Sequence, residues 1–167
     1  MLTVINRMGR KGLIIILLIC LVIILVGISL MPSTVSLQDL RAAPEKIEIN
    51  GTEYTLETYL WRDFMPICPP DGRPLVALVK VKAPGETAIS SKIDATRLWV
   101  VKGKEIWETE FANEEGSAIG DTLEKIGRDG PKWGPGITVD IVVKIIDLKS
   151  GKSYLLKASN QYIHRTS

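Results

Sequence analysis

A chain with one histidine and two cysteines has few ways to assemble a catalytic centre. Cys68 and His164 form the only thiol–imidazole pair available outside the first apolar run. Cys68 stands between Ile67 and Pro69, with no helix start to lower its pKa. His164 lies close to the C-terminus, where an exposed side chain on a frayed end is the expectation. A triad or a histidine-bearing metal cluster cannot be assembled from these residues. Oxygen ligands gather in "FANEEGSAIGD", where Asn113, Glu114, Glu115 and Asp121 could face a Ca²⁺ ion. The stretch lacks the spacing of an EF-hand, so a solvated acidic loop is expected. "GRDGPKWGPG" is glycine-rich, but Pro131 and Pro135 make it a shaped loop that opens no helix for a phosphate. The sequence therefore predicts no enzyme, no cofactor and no metal site.

Two stretches share an unusual chemistry. "WRDFMPICPPDGRP", Trp61 to Pro74, holds four prolines, an Arg-Asp pair (Arg62-Asp63), a second arginine (Arg73) and Asp71-Gly72. "GRDGPKWGPG" repeats the theme with Arg128-Asp129, Gly130-Pro131 and Trp133. Tryptophan and arginine dominate binding hot spots, and long loops on a rigid scaffold often carry function. The candidate partner-binding residues are therefore Trp61, Arg62, Asp63, Arg73, Arg128, Asp129 and Trp133.

The elements that must position these loops are strands. "KIEINGTEYTLETYLW" alternates apolar and polar residues on either side of Asn50-Gly51, a type I′ hairpin signal. Asn50-Gly51-Thr52 is also a glycosylation sequon, which the turn explains without a glycan. Leu75, Ala77, Val79, Val81 and Ala83 share one face. "TRLWVVKGKEIWETEF" reads as two strands about Lys102-Gly103-Lys104. Ile137, Val139, Ile141, Val143 and Ile145 form an unbroken β-branched face with a period of two. "SYLLKASNQYI" follows the "LKSGK" turn, with Tyr154, Leu156 and Ala158 facing one way. "GDTLEKIG" is the one weakly helical window, with Asp121 and Glu124 spaced as a capping box.

About seven short strands without long helices predict an all-β, antiparallel sandwich over residues 46–167. On this strand pattern alone, residues 45–165 resemble the immunoglobulin-like superfamily in the broad sense. The Cys…Trp…Cys core of antibody domains is missing. The resemblance implies that the loops entering the strands at 75 and 137 lie at one end of the sandwich. Residues 61–74 and 112–136 would then pack together. Trp61, Phe64, Met65, Ile67 and Trp133 would plug that end of the core. Arg62 with Asp129, or Arg128 with Asp63, would form corner salt bridges, leaving Arg, Pro and Asp outside for a partner.

The N-terminus places this domain. Residues 1–12 carry Arg7, Arg10 and Lys11 and no acidic residue. Leu13 to Met31 carries no charge and, at about 1.5 Å per residue, covers roughly a 30 Å bilayer core. The run predicts an uncleaved signal-anchor helix over 13–31, with a cleaved signal peptide as the alternative. The basic flank stays cytoplasmic and contacts anionic lipid, so the domain is extracytoplasmic. Residues 32–45 read as a linker. All 19 acidic residues follow Met31 and only three of the 21 basic ones precede it, so the exported part has a formal charge of −1. No basic field for nucleic acid exists. The expected function is binding or scaffolding of another envelope protein. A small-ligand module taking metal or carbohydrate through 112–136 is the alternative.

Overall fold

The computed structural model describes residues 35–84, 92–111, 118–119 and 121–167. The predicted membrane segment therefore lies outside the described residues, among which no helix is long and apolar enough to cross a membrane.

Nine strands lie among the described residues: β1 (Lys46–Ile49), β2 (Thr52–Asp63), β3 (Leu75–Lys82), β4 (Ile93–Lys102), β5 (Glu105–Glu110), β6 (Ala118–Ile119), β7 (Thr122–Gly130), β8 (Thr138–Asp147) and β9 (Ser153–Thr166). Their hydrogen-bonded order is β5-β4-β8-β9-β2-β3-β7-β6, with β1 paired to β2. The fold is all-β and consistent with a sandwich.

The turns follow the residue types. Asn50 and Gly51 both have positive φ, 51° and 77°, so β1 and β2 close as Ile49 pairs with Thr52. Gly103, φ 61°, sits in the β4–β5 turn. Period-two burial then fills one core from both layers, with Tyr54 and Leu60 of β2, Val79 of β3, Leu98 of β4, Ile141 and Val143 of β8, and Leu156 of β9.

The sheet is mixed, which departs from the antiparallel expectation. β9 runs antiparallel to β8 as far as Tyr162, then parallel to β2 from Ile163, which pairs with Leu60. A register shift between Val139 and Ile141 accompanies the change of partner. Asn160 takes a left-handed φ of 56°, and its N–H donates to the Asp140 carboxylate at 2.9 Å. A bulge bends the strand, and asparagine tolerates the conformation. One strand thereby serves both layers.

Two further expectations fail. "GDTLEKIG" is strand β7, because Leu123 packs inward while Glu124 points out and pairs with Lys80 at 2.9 Å. Tertiary pairing overrides a window too short to hold a helix alone. Much of the loop read over 112–136 is thus strand, and the segment leading into β8 is only 131–137.

Within the segment read as a linker, Leu37–Ala42 forms a short helix, α1. Ser36 caps it, and Ser36 and Asp39 complete a capping box. The Arg41 guanidinium donates to Gly103 O at 2.7 Å, while Lys157 donates to Arg41 O through Nζ and to Pro44 O through its backbone, both at 2.8 Å. These pins hold α1 over the outer face of β4, β8 and β9. Leu40 and Ala43 are buried, as are Trp99, Val101 and Val142, yet none belongs to the central core. Val142, on the polar side of the β8 alternation, is fully buried on the face to which α1 is pinned.

Candidate functional site

The β2–β3 connection is built by proline and hydrogen bonds. Cys68 N–H donates to Met65 O and Gly72 N–H to Pro69 O, each at 2.8 Å. Two successive four-residue turns result. Pro66 and Pro70 occupy the second position of each, where a φ near −65° is wanted. Asp63 starts the connection by accepting from Met65 N–H at 3.0 Å, and this bond is the main reason its carboxyl titrates below the ordinary range. Arg73 N–H closes the connection on Asp63 O at 2.8 Å. The Arg73 Nε also donates to Cys68 Sγ at 3.3 Å.

Arg62 locks this connection to the 131–136 segment. The residue is 3% exposed. Its Nε donates to Arg73 O at 2.9 Å, and its Nη1 to Lys132 O at 3.0 Å and Gly134 O at 2.6 Å. Its Nη2 donates to Asp71 O. A guanidinium has five N–H donors in a fixed fork, and here four of its bonds reach main-chain carbonyls on two segments. Lys132 Nζ adds a salt bridge to Asp71 at 2.5 Å, and that contact holds the Asp71 carboxyl below its ordinary range. The Phe64 ring lies between two guanidiniums, 5.0 Å from Arg62 Cζ and 4.1 Å from Arg165 Cζ. Gly72 leaves room for that ring; a Cβ there would stand 2.6 Å from Phe64.

The two segments expected to pack together do so, but by a different chemistry. Arg62 bonds carbonyls rather than Asp129, because burial demands that all its donors be met. Asp63 faces Arg73 at 3.8 Å instead of Arg128. Arg128 and Asp129 lie exposed at the end of β7, in no ion pair among the described residues. Trp133 is half-buried against the core. Its Nε1 donates to Glu105 at 3.1 Å, and Lys102 Nζ lies 4.8 Å from its ring centroid. Trp61 is in β2, on the side opposite Arg62, and does not plug the core. Trp107 of β5 also packs on the core, its ring against Gly130 of β7.

Met65 and Ile67, expected inside, are outside: 51% and 90% exposed. Pro66, Pro69 and Pro70 are exposed with them. The turn geometry places Ile67 at the outermost position, so it has no core to reach. The result is an uncharged apolar finger, residues 65–70, on a clamped base. Cys68 is a free thiol at its half-buried flank. The finger escaped the sequence reading, although its signal was there in Pro66 and Pro70 flanking a lone isoleucine. His164 also departs from expectation. It is held in β9 beside Trp61 and stacks on Tyr59 with ring centroids 4.7 Å apart.

Asn113, Glu114 and Glu115 lie outside the described residues, among which no group of His, Cys, Asp and Glu is placed to hold a metal ion. Comparison with family models, curated proteins and solved structures finds no match to this chain.

Proposed function

We propose that this chain is a membrane-anchored, extracytoplasmic immunoglobulin-like domain that binds or scaffolds another envelope protein through its 65–70 finger. The observation that carries the reading is Ile67, 90% exposed at the tip of a loop whose base is fixed by four carbonyl bonds from Arg62. An exposed apolar tip on a mobile loop could fold inward. This one is held out, and a preorganised apolar anchor loses little entropy on docking. Arg73, whose Nε reaches Cys68 Sγ, supplies a polar edge beside it.

The immunoglobulin-like part of the reading draws on strand order. β2, β3, β7 and β6 correspond to strands A, B, E and D of that fold, and β5, β4, β8 and β9 to C′, C, F and G. The anchoring part draws on the uncharged run Leu13–Met31. The binding part is tested by Ile67→Ser and Met65→Ser in the full-length chain. Both variants fold as the parent does, and recovery of the envelope partner falls at least about tenfold, as loss of a hot-spot anchor requires. Undiminished recovery contradicts the finger as the interface.

A further inference from the structure

A second surface, unconnected with the finger, has a composition that selects its own partner. On the outer face of β2, Tyr59 and Trp61 alternate with buried Leu60 and Arg62. Across the parallel pairing, Tyr162 and His164 of β9 take the same face. The four rings touch in sequence, with Tyr59–Trp61 centroids 5.6 Å apart, Tyr59–His164 4.7 Å and Tyr162–His164 5.0 Å. On the other side, Val76 and Leu78 of β3 pair with Trp61 and Tyr59, and Ile126 of β7 pairs with Leu78. Tyr59, Tyr162 and Ile126 are 45%, 49% and 36% exposed. An apolar block thus spans four strands, aromatic on β9 and β2, aliphatic on β3 and β7. Tyr59, Tyr162 and Ile126 are among the exposed large hydrophobics of the described residues, and contiguous exposed apolar surface of this kind marks interaction sites.

Below it, Glu57, Lys80 and Glu124 form one cross-strand row. Lys82 pairs with Glu57 at 2.7 Å and Lys80 with Glu124 at 2.9 Å.

We infer that this face is a dimer interface between two copies of the chain, related by a two-fold axis that runs along the strands between β2 and β3. That axis exchanges the aromatic half with the aliphatic half. Trp61 and Tyr59 of one copy then lie on Val76 and Leu78 of the other, large against small, and Tyr162 lies on Ile126. The same operation sets Glu57 against Lys80 of the second copy, and Lys80 against its Glu57. Such charge complementarity fixes the register of an isologous interface. An axis across the strands would instead set Glu57 against Asp63, two like charges. The apolar block forms the interface core and the ionic row its rim, the arrangement of stable interfaces.

The register gives a sharp test. Continued by one residue beyond the Leu60–Ile163 pair, the β2–β9 register sets Tyr162 beside Tyr59, in the row of Leu78 and Ile126. Within one chain Tyr162 and Ile126 are three strand spacings apart, roughly 14 Å, too far for a disulfide. In the dimer they face each other. The full-length chain, carrying Cys20→Ser and Cys68→Ser, is made with Tyr162→Cys or with Ile126→Cys and oxidised mildly in detergent. A mixture of the two single variants gives a covalent dimer, and neither alone does. Adding Lys80→Glu to both lowers the yield at least about tenfold through like-charge contact with Glu57, and the further Glu57→Lys exchange restores it. No dimer from the mixture, equal yields from one variant alone, or failure of the charge exchange to restore the yield overturns the inference. Ile67→Ser leaves the cross-link unchanged, so the finger and the face fail or stand separately.

Discussion

Arg62 Nη1 donates to the carbonyl of Gly134 at 2.6 Å, joining residues 72 apart in the chain. This bond and its companions turn two irregular segments into one rigid end of the domain. Arg62 therefore builds the base of the candidate site. Arg62→Met keeps the bulk and deletes every donor, leaving up to four carbonyls without a partner. Global stability falls by about 3 kcal/mol or more, read as a shift in urea midpoint at constant slope. Arg62→Lys recovers only part of the loss, because one ammonium cannot span the carbonyls that a planar fork reaches.

Gly130 is required by Trp107. A Cβ at 130 would lie 2.7–2.9 Å from the indole ring. Gly130→Ala destabilises by about 1–3 kcal/mol through overpacking. Trp107→Leu in the same chain relieves the clash, so the two changes together cost less than their sum in a double-mutant cycle.

Helix α1 belongs to the folded domain. Leu40 is 1% exposed and Trp99 2%. Leu40→Ala should cost about 2–5 kcal/mol, the range for a buried leucine. If α1 were a loose tether, the same substitution would leave the thermal midpoint where it was.

The pH dependence follows from depressed carboxyls, Asp147, Asp63 and Asp71 among them. Asp147, buried in the β8–β9 turn, accepts from Ser150 Oγ at 2.5 Å, the main cause of its lowering, and from Lys149 N–H at 3.0 Å. Asp63 and Asp71 are lowered by the Met65 N–H and by Lys132. A folded-state pKa below the unfolded one stabilises the fold above the ordinary carboxylate range, about pH 4. That contribution is lost as pH falls through the folded values. Stability is accordingly flat from pH 7 to 5 and declines below about pH 4. Asp147→Asn lowers stability at pH 7 and makes the decline below pH 4 shallower. A decline as steep as in the parent chain assigns the acid sensitivity elsewhere.

The strands were legible wherever one face is buried and the other wet. Ile137 to Ile145 and Leu75 to Ala83 show this, and Asn50-Gly51 announced its hairpin. What could not be read depends on partners distant in the chain. β7 hides in "GDTLEKIG" because its apolar face is interrupted by Lys125 and Gly127. Lys125 is turned inward to reach Asp94 at 3.1 Å, and Gly127 is small because Leu98 presses on it. The exchange of partners along β9 hangs on Asn160 meeting Asp140, which no local pattern encodes. At the candidate site, the joining of 61–74 to the segment before β8 was foreseen. The roles were not, since a lone arginine gives no sign that its partners will be carbonyls. Hydrophobicity also misled, because Met65 and Ile67 look like core until the prolines around them set the turns that hold them out.

The most direct test of the finger reading uses a photo-activated amino acid at position 67 in the full-length chain, inside the cells that make it. Position 148 serves as the control, since Leu148 is also exposed, at 53%, but lies at the β8–β9 turn. The finger reading predicts a discrete covalent adduct with one envelope protein from position 67, absent from position 148 and lost with Met65→Ser. No adduct from position 67, or the same adducts from both positions, would contradict it.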